Sequence, residues 1–357
     1  MRFGRLFSIG ISVGSLAMML VLIFGTWRGG SALAADAPEY HLVKKVALGG
    51  EGGWDYFTAD PVSHRIFIGR GTYVMVLNPD GTLVGNIEVG KENNAHAVEF
   101  APDLHRAFTS NGSGGSVTIF DPDTLRVIGE VKVPDRNTDG ILYDPASKRV
   151  FTFNGGKHDA TAIDAEKGVV VGSVALGGDP ETAQTDGQGH IYVNMEDLSV
   201  VKEIDANSLK LVGTWPLAPC SSPAGQAIDV KDSLLVIGCR NDLMEFWNYK
   251  EHKSIGTVPI GRGNDANRFD PATNLAFAST GDGHITVVAV KAPNSFTVVQ
   301  TIDTMQGART MALDGGNHNV YTVSAEFGPR PQATADNPHP RPDMVPNSFT
   351  LLVYSLR

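Results

Sequence analysis

The chain has 357 residues, 42% of them hydrophobic, with 40 Gly and 20 Pro. That is enough for one large domain, and so many turn-formers argue against a mainly helical protein. Acidic residues outnumber Lys and Arg by 39 to 29. With no basic cluster to offset that balance, a nucleic-acid partner is not expected, because counterion release needs clustered Lys and Arg.

Residues 1–35 read as an export signal. Arg2 and Arg5 precede the uncharged apolar run 6–27, and Ala32-Leu33-Ala34 supplies the small residues of a cleavage site. The run is as long as the ~20 residues that span a bilayer, so an uncleaved inner-membrane anchor is the alternative. Either way the basic N-terminus stays cytoplasmic and residues 36–357 face the periplasm. No Cys follows the run to accept a lipid. Without Arg2, Arg5 and Arg28 the remaining 26 basic residues face 39 acidic ones, a net charge of −13. Contact with the membrane is expected only through an uncleaved first segment.

The next element is the strand His41–Leu48, with nothing nearby in sequence to pair with. Residues 54–89 then form a unit: a short strand into the turn Asp60-Pro61, the strand Arg65–Gly69, a Gly-containing hairpin, the strand Tyr73–Leu77, the turn Asn78–Gly81, and the strand Leu83–Val89. Asp-Pro and Asp-Gly supply the backbone angles of tight turns. The unit returns at 96–133, with Asn111-Gly112 and Asp121-Pro122, and at 139–176, with Asp144-Pro145 and Asn154-Gly155. Rougher copies start at Glu181, Gln226 and Asp265. The turn anchors Asp60, Ala101, Asp144, Asp186, Asp229, Asp270 and Asp314 lie 41, 43, 42, 43, 41 and 44 residues apart. Four strands per ~40–45 residues is the period of a propeller blade.

In the fifth unit Cys220 precedes one strand and Cys239 ends the next, so a hairpin brings them together. A disulfide is expected in an oxidising compartment; two buried free thiols are the alternative, and with no CxxC pair zinc is not suggested. The last unit has three strands, Arg309–Asp314, Asn319–Phe327 and Ser348–Leu356, and the strand His41–Leu48 supplies the fourth. The expected fold is therefore an all-β, seven-bladed β-propeller of four-stranded antiparallel blades, closed by the N-terminal strand. The Pro-rich stretch 328–347 interrupts the last blade as a long loop on the side where first strands begin.

These units resemble the YVTN-repeat propellers, close to the YncE-like family of exported bacterial proteins. The residues that carry the resemblance are the turns Asp60–Ser63, Asp144–Ser147 and Asp270–Thr273, the strands Val117–Asp121 and Arg149–Gly155, and the stretch Gly307–Asp314. It covers roughly 40–357 and implies the fold, not one function, because such propellers host binding modules, enzymes and enzyme subunits alike.

First strands are innermost, and the residues that enter them ring one mouth of the channel. Five residues before each anchor stand Asp55, His96, Asp139, Glu181, Ala224, Asp265 and Arg309, with Gly225 or Gln226 replacing Ala224 if the fifth register shifts. Apolar strand interiors (Val98, Phe100; Ile141, Tyr143; Met311, Leu313) suggest that charge is confined to this entrance. Converging carboxylates repel and raise one another's pKa, which a cation relieves. Asp55, His96, Asp139, Glu181 and Asp265 are thus candidate ligands for Ca²⁺, Mg²⁺, Mn²⁺ or Zn²⁺. Asp and His that hydrogen-bond a neighbouring blade are the bland alternative. Arg309 could orient a ligand carboxylate, and Trp54 and Tyr56 could wall a ligand pocket, core packing being the alternative role.

His158, His190 and His284 fall at different repeat phases, which speaks against a multi-histidine copper or haem site; no nucleotide or flavin is expected either. Asn111–Gly115 lies between strands and reads as a hairpin rather than a phosphate loop, and Arg240-Asn241 reads as a structural turn. The expected function is a monomeric periplasmic module binding a divalent cation, a small polar ligand or both at the acidic mouth. One alternative is a metal-dependent hydrolase or lactonase with His96, Asp139 and Arg309 in catalysis. Another is a scaffold or subunit that docks a periplasmic redox or transport protein.

Overall fold

The computed structural model describes residues 39–50, 52–291, 293, 295–334, 340 and 342–357. Apolar strands punctuated by Asp, Asn and Gly turns form seven four-stranded antiparallel sheets. Blades 1 to 6 span 57–88, 95–132, 138–175, 180–216, 223–259 and 264–303. Blade 7 takes Met311–Leu313, Val320–Ser324 and Thr350–Leu356, and its outer strand is the N-terminal Tyr40–Ala47, paired antiparallel with Thr350–Leu356. That pairing joins the two ends of the ring, as expected for a propeller whose terminal strands would otherwise leave an open edge.

The apolar residues collect between blades. Seven clusters each draw on two adjacent blades, from blades 7 and 1 around to blades 6 and 7. Each blade is too thin to bury its own faces, so stability comes from stacking on both neighbours.

The repeated Asp anchors explain themselves. Their carboxylates accept backbone N–H groups two or three residues on: Val62 for Asp60, Ser147 for Asp144, Ala272 for Asp270, Gly316 for Asp314. Several also bond the following blade. Thr185 donates to Asp144 at 2.7 Å, His318 meets Asp270 at 2.8 Å, and His64 of blade 1 meets Asp314 of blade 7 at 2.8 Å. One residue therefore shapes the turn and ties neighbouring blades together.

Cys220 and Cys239 form the expected disulfide, their Cα atoms 5.5 Å apart. Among the described residues no helix is long and apolar enough to cross a membrane. The export signal or anchor read in 1–35 lies outside the described residues. So do 335–339 and 341 of the Pro-rich loop, whose flanks are joined by a bridge between Phe327 and Met344 and by the Gly328 N–H on the Asp343 carbonyl.

Candidate functional site at the channel mouth

The ring residues are placed by a repeated backbone device. In blades 2 to 6 the register of the first strand slips between Ala95 and Val98, Thr138 and Ile141, Pro180 and Ala183, Pro223 and Gln226, and Asn264 and Ala266. His96, Asp139, Glu181, Ala224 and Asp265 lie inside these bulges. A bulge unpairs a residue and re-aims its side chain, here toward the channel. The carbonyls freed by the bulge are taken up by the preceding blade: Ser110 Oγ donates to Asp139 O at 2.6 Å and Asn194 Nδ2 to Ala224 O at 3.1 Å. Ser279 Oγ likewise donates to Arg309 O, just before the first strand of blade 7, at 2.5 Å. In blade 5 the position is Ala224. Its neighbour Gly225 has no room for a side chain, since a Cβ there would meet Asn267 Oδ1 at 2.5 Å and blade 6 backbone at 2.7 Å.

The ring divides into two sectors. In one, from blades 1, 2 and 3, His96 Nδ1 lies 3.3 Å from Asp55 Oδ2 and 3.0 Å from Asp139 Oδ1. One ligand atom from each of the three residues lies within 4.8 Å of the others. No arginine is within ion-pair distance of either carboxylate among the described residues. In the other sector Asp265 receives Arg309 Nε at 2.6 Å and Arg240 Nη2 at 3.6 Å, and Glu181 lies 3.7 Å from Arg240. Arg240 is held by Glu196 at 2.5 Å. The structure thus brings three of the five candidate ligands together and pairs Glu181 and Asp265 with arginines.

Electrostatics follow this division. Burial pushes the Asp55 carboxyl up to about 6; the Asp139 charge adds to the rise and His96 opposes it. Burial works against a charged His96, but its hydrogen bond to Asp139 and the charges of Asp139 and Asp55 leave its pKa raised. Burial lifts Glu181 well above the carboxylate range, with Asp139 and Asp265 adding to it. Burial also raises Asp265, although Arg309 and Arg240 oppose it. Asn94 sits 2.8 Å from His96 Nε2. Its amide donates when that nitrogen is bare and, turned over, accepts when it is protonated, so it can orient the ring in either state.

The two aromatic candidates part company. Trp54 packs on Phe349 and Phe327 with ring centroids 5.1 and 6.1 Å apart, at the core between blades 7 and 1. Tyr56 crosses the channel: its hydroxyl donates to Glu181 Oε1 of blade 4 at 3.3 Å. Beneath the ring the channel holds a cavity of about 310 Å³ bordered by Tyr56 and Asp265.

Three functional-looking residues escaped the sequence reading. Arg240 sits in the turn expected of it, yet its long side chain reaches two ring carboxylates. Glu99 and Arg268 line the channel cavity, so charge is not confined to the strand entrances. Both stand two residues before a turn anchor, and the repeat register would have found them there.

No family model matches this sequence, and no curated protein matches it. Among solved structures, a chain in a crystal structure of the mitotic checkpoint complex superposes with a TM-score of 0.71, covering 96% of this chain and 99% of that one at 14% identity. A likeness at that identity speaks to the fold alone. It agrees with the seven-bladed β-propeller described above.

Proposed function

We propose that this protein is an exported propeller, of the kind the YncE-like resemblance implies, that binds one divalent cation between Asp55, His96 and Asp139. The observation that carries the reading is the unneutralised sector: two carboxylates converge on one imidazole nitrogen while every arginine of the ring serves the opposite side. A cation at that point would take the place of the shared proton and remove the repulsion that raises Asp55. Two carboxylates and one imidazole suit Zn²⁺ or Mn²⁺ better than Ca²⁺ or Mg²⁺, which prefer all-oxygen sets. The residues present would leave open positions for water or a small polar ligand.

The test is elemental analysis of the purified protein, followed by a screen for lactone and ester hydrolysis with Zn²⁺ or Mn²⁺ supplied. Bound metal without turnover supports a binding module. Turnover lost in His96→Ala and Asp139→Asn supports the hydrolase reading of the same site. Metal found neither after purification nor after supplementation would overturn both.

A further inference from the structure

Below the ring, the 310 Å³ cavity is walled partly by Glu99, Gln184, Gln226 and Arg268. Arg268 spends two donors on backbone carbonyls, Nη1 on Asn267 at 2.7 Å and Nη2 on Phe57 at 3.4 Å. The ionisable groups nearest to it are Tyr56 and Glu99, and among the described residues no carboxylate stands within ion-pair distance. Arg268 is half-buried, and burial lowers its pKa. A partly desolvated cation without a carboxylate partner favours an anion.

Glu99 does not supply the counter-charge. Burial pushes its carboxyl up to about 8, against the Tyr143 backbone N–H and the opposing charge of Arg268. At neutral pH it is mostly protonated and can donate a hydrogen bond. The other carboxyl on the wall, Asp265, is committed to Arg309. The compartment therefore offers a positive fork and a neutral acid, at the small end of the ~300–1,000 Å³ range of ligand sites.

We infer that this channel cavity binds a small organic carboxylate, gripped by Arg268, with the carboxyl of Glu99 as a second donor. Arginine's planar fork matches a carboxylate with two parallel hydrogen bonds. The inference stands on Arg268, Glu99 and the cavity, and does not require a cation at the ring above.

The experiment is calorimetric titration of the metal-stripped protein with lactate, acetate and inorganic phosphate at pH 7. Saturable binding of lactate and acetate, each tighter than phosphate, is expected. Arg268→Lys keeps the charge but loses the fork and should weaken lactate about tenfold, and Arg268→Gln should abolish binding; thermal melts establish that each variant is folded. Wild-type affinity should fall as pH rises through 8, because ionised Glu99 adds a negative charge facing Arg268, Tyr56 and Asp265. Glu99→Gln should bind at pH 7 and lose that fall. Absence of saturable carboxylate binding, phosphate binding more tightly than either carboxylate, or lactate affinity unchanged in folded Arg268→Lys would overturn the inference.

Discussion

The Tyr56 hydroxyl reaches from blade 1 to Glu181 on blade 4, 3.3 Å away across the channel. The phenol therefore separates the acidic ring from the cavity beneath. Burial raises its pKa well above the ordinary value, and the charges of Asp265 and Glu181 add to this, so it remains a donor throughout the physiological range. Tyr56→Phe removes the bridge while keeping the ring's bulk. We expect a loss of about 1 kcal/mol in chemical denaturation and no loss of cation stoichiometry. An unchanged midpoint would mean the bridge carries no net stability.

Arg309 neutralises Asp265, which is only 7% exposed. Removing one partner of a buried pair leaves an uncompensated charge, typically costing about 3–5 kcal/mol. Arg309 is itself 39% exposed, and Arg240 remains 3.6 Å from the same carboxylate. Arg309→Ala should therefore cost about 2 kcal/mol, after discounting for solvent screening. Asp265→Asn in the same background should recover much of it. Urea denaturation of the two single variants and the double variant measures this coupling directly.

The Asp55–His96–Asp139 sector should make the metal-free protein less stable as pH rises. Asp55 has a folded-state pKa of about 6, above the ordinary 3.8, so the folded state holds more protons between pH 4 and 6. Stability present below pH 4 is lost as pH climbs through 6. His96, also raised, acts in the same direction: the stability of its protonated form is lost as pH rises through its folded pKa. Asp55→Asn removes the first part of this decline, worth at most about 3 kcal/mol. Its stability relative to wild type should therefore improve between pH 4 and 6, and Zn²⁺ at neutral pH should close the gap by stabilising the wild type alone. Thermal melts across that window, with and without the ion, are the measurement.

The bond between Cys220 and Cys239 closes a loop with a sequence separation of 19. Constraining a loop of this size stabilises by ~3 kcal/mol. Both residues belong to the core between blades 4 and 5, with Trp247 and Tyr249. The double variant Cys220→Ser/Cys239→Ser should melt several degrees lower and expose those aromatics earlier, seen as a shift in tryptophan fluorescence before the main transition.

The fold was readable because its unit is short and its turns are chemically marked. Asp60, Asp144, Asp270 and Asp314 each satisfy backbone N–H groups of their own turn, so the residue type recurs with the blade. Each ring position lies five residues before its anchor, because the bulges of blades 2 to 6 fall at one place in the first strand. Side-chain reach was not readable. Arg240 lies in a turn between second and third strands, outside the stepping rule, and only the structure shows it extending to Glu181 and Asp265. Glu99 and Arg268 were hidden among apolar neighbours in their strands. The split of the ring into a neutralised and an unneutralised sector depends on where two long arginines point, which spacing does not encode. Trp54 was equally ambiguous, because its neighbours Phe327 and Phe349 come from the far end of the chain.

The central claim is a cation between Asp55, His96 and Asp139. Its most direct test is calorimetric titration of the chelator-stripped protein with Zn²⁺ and Mn²⁺ at pH 7.5, comparing wild type, His96→Ala, Asp139→Asn and Glu181→Gln. The account predicts one site per chain in wild type and in Glu181→Gln, lost in His96→Ala and weakened at least about tenfold in Asp139→Asn. It also predicts affinity that declines as pH falls, first as a proton returns to His96, whose pKa is raised above its ordinary 6.5, and further through pH 6 as Asp55 is protonated. Binding that survives in His96→Ala, or no binding by the wild type, would contradict it.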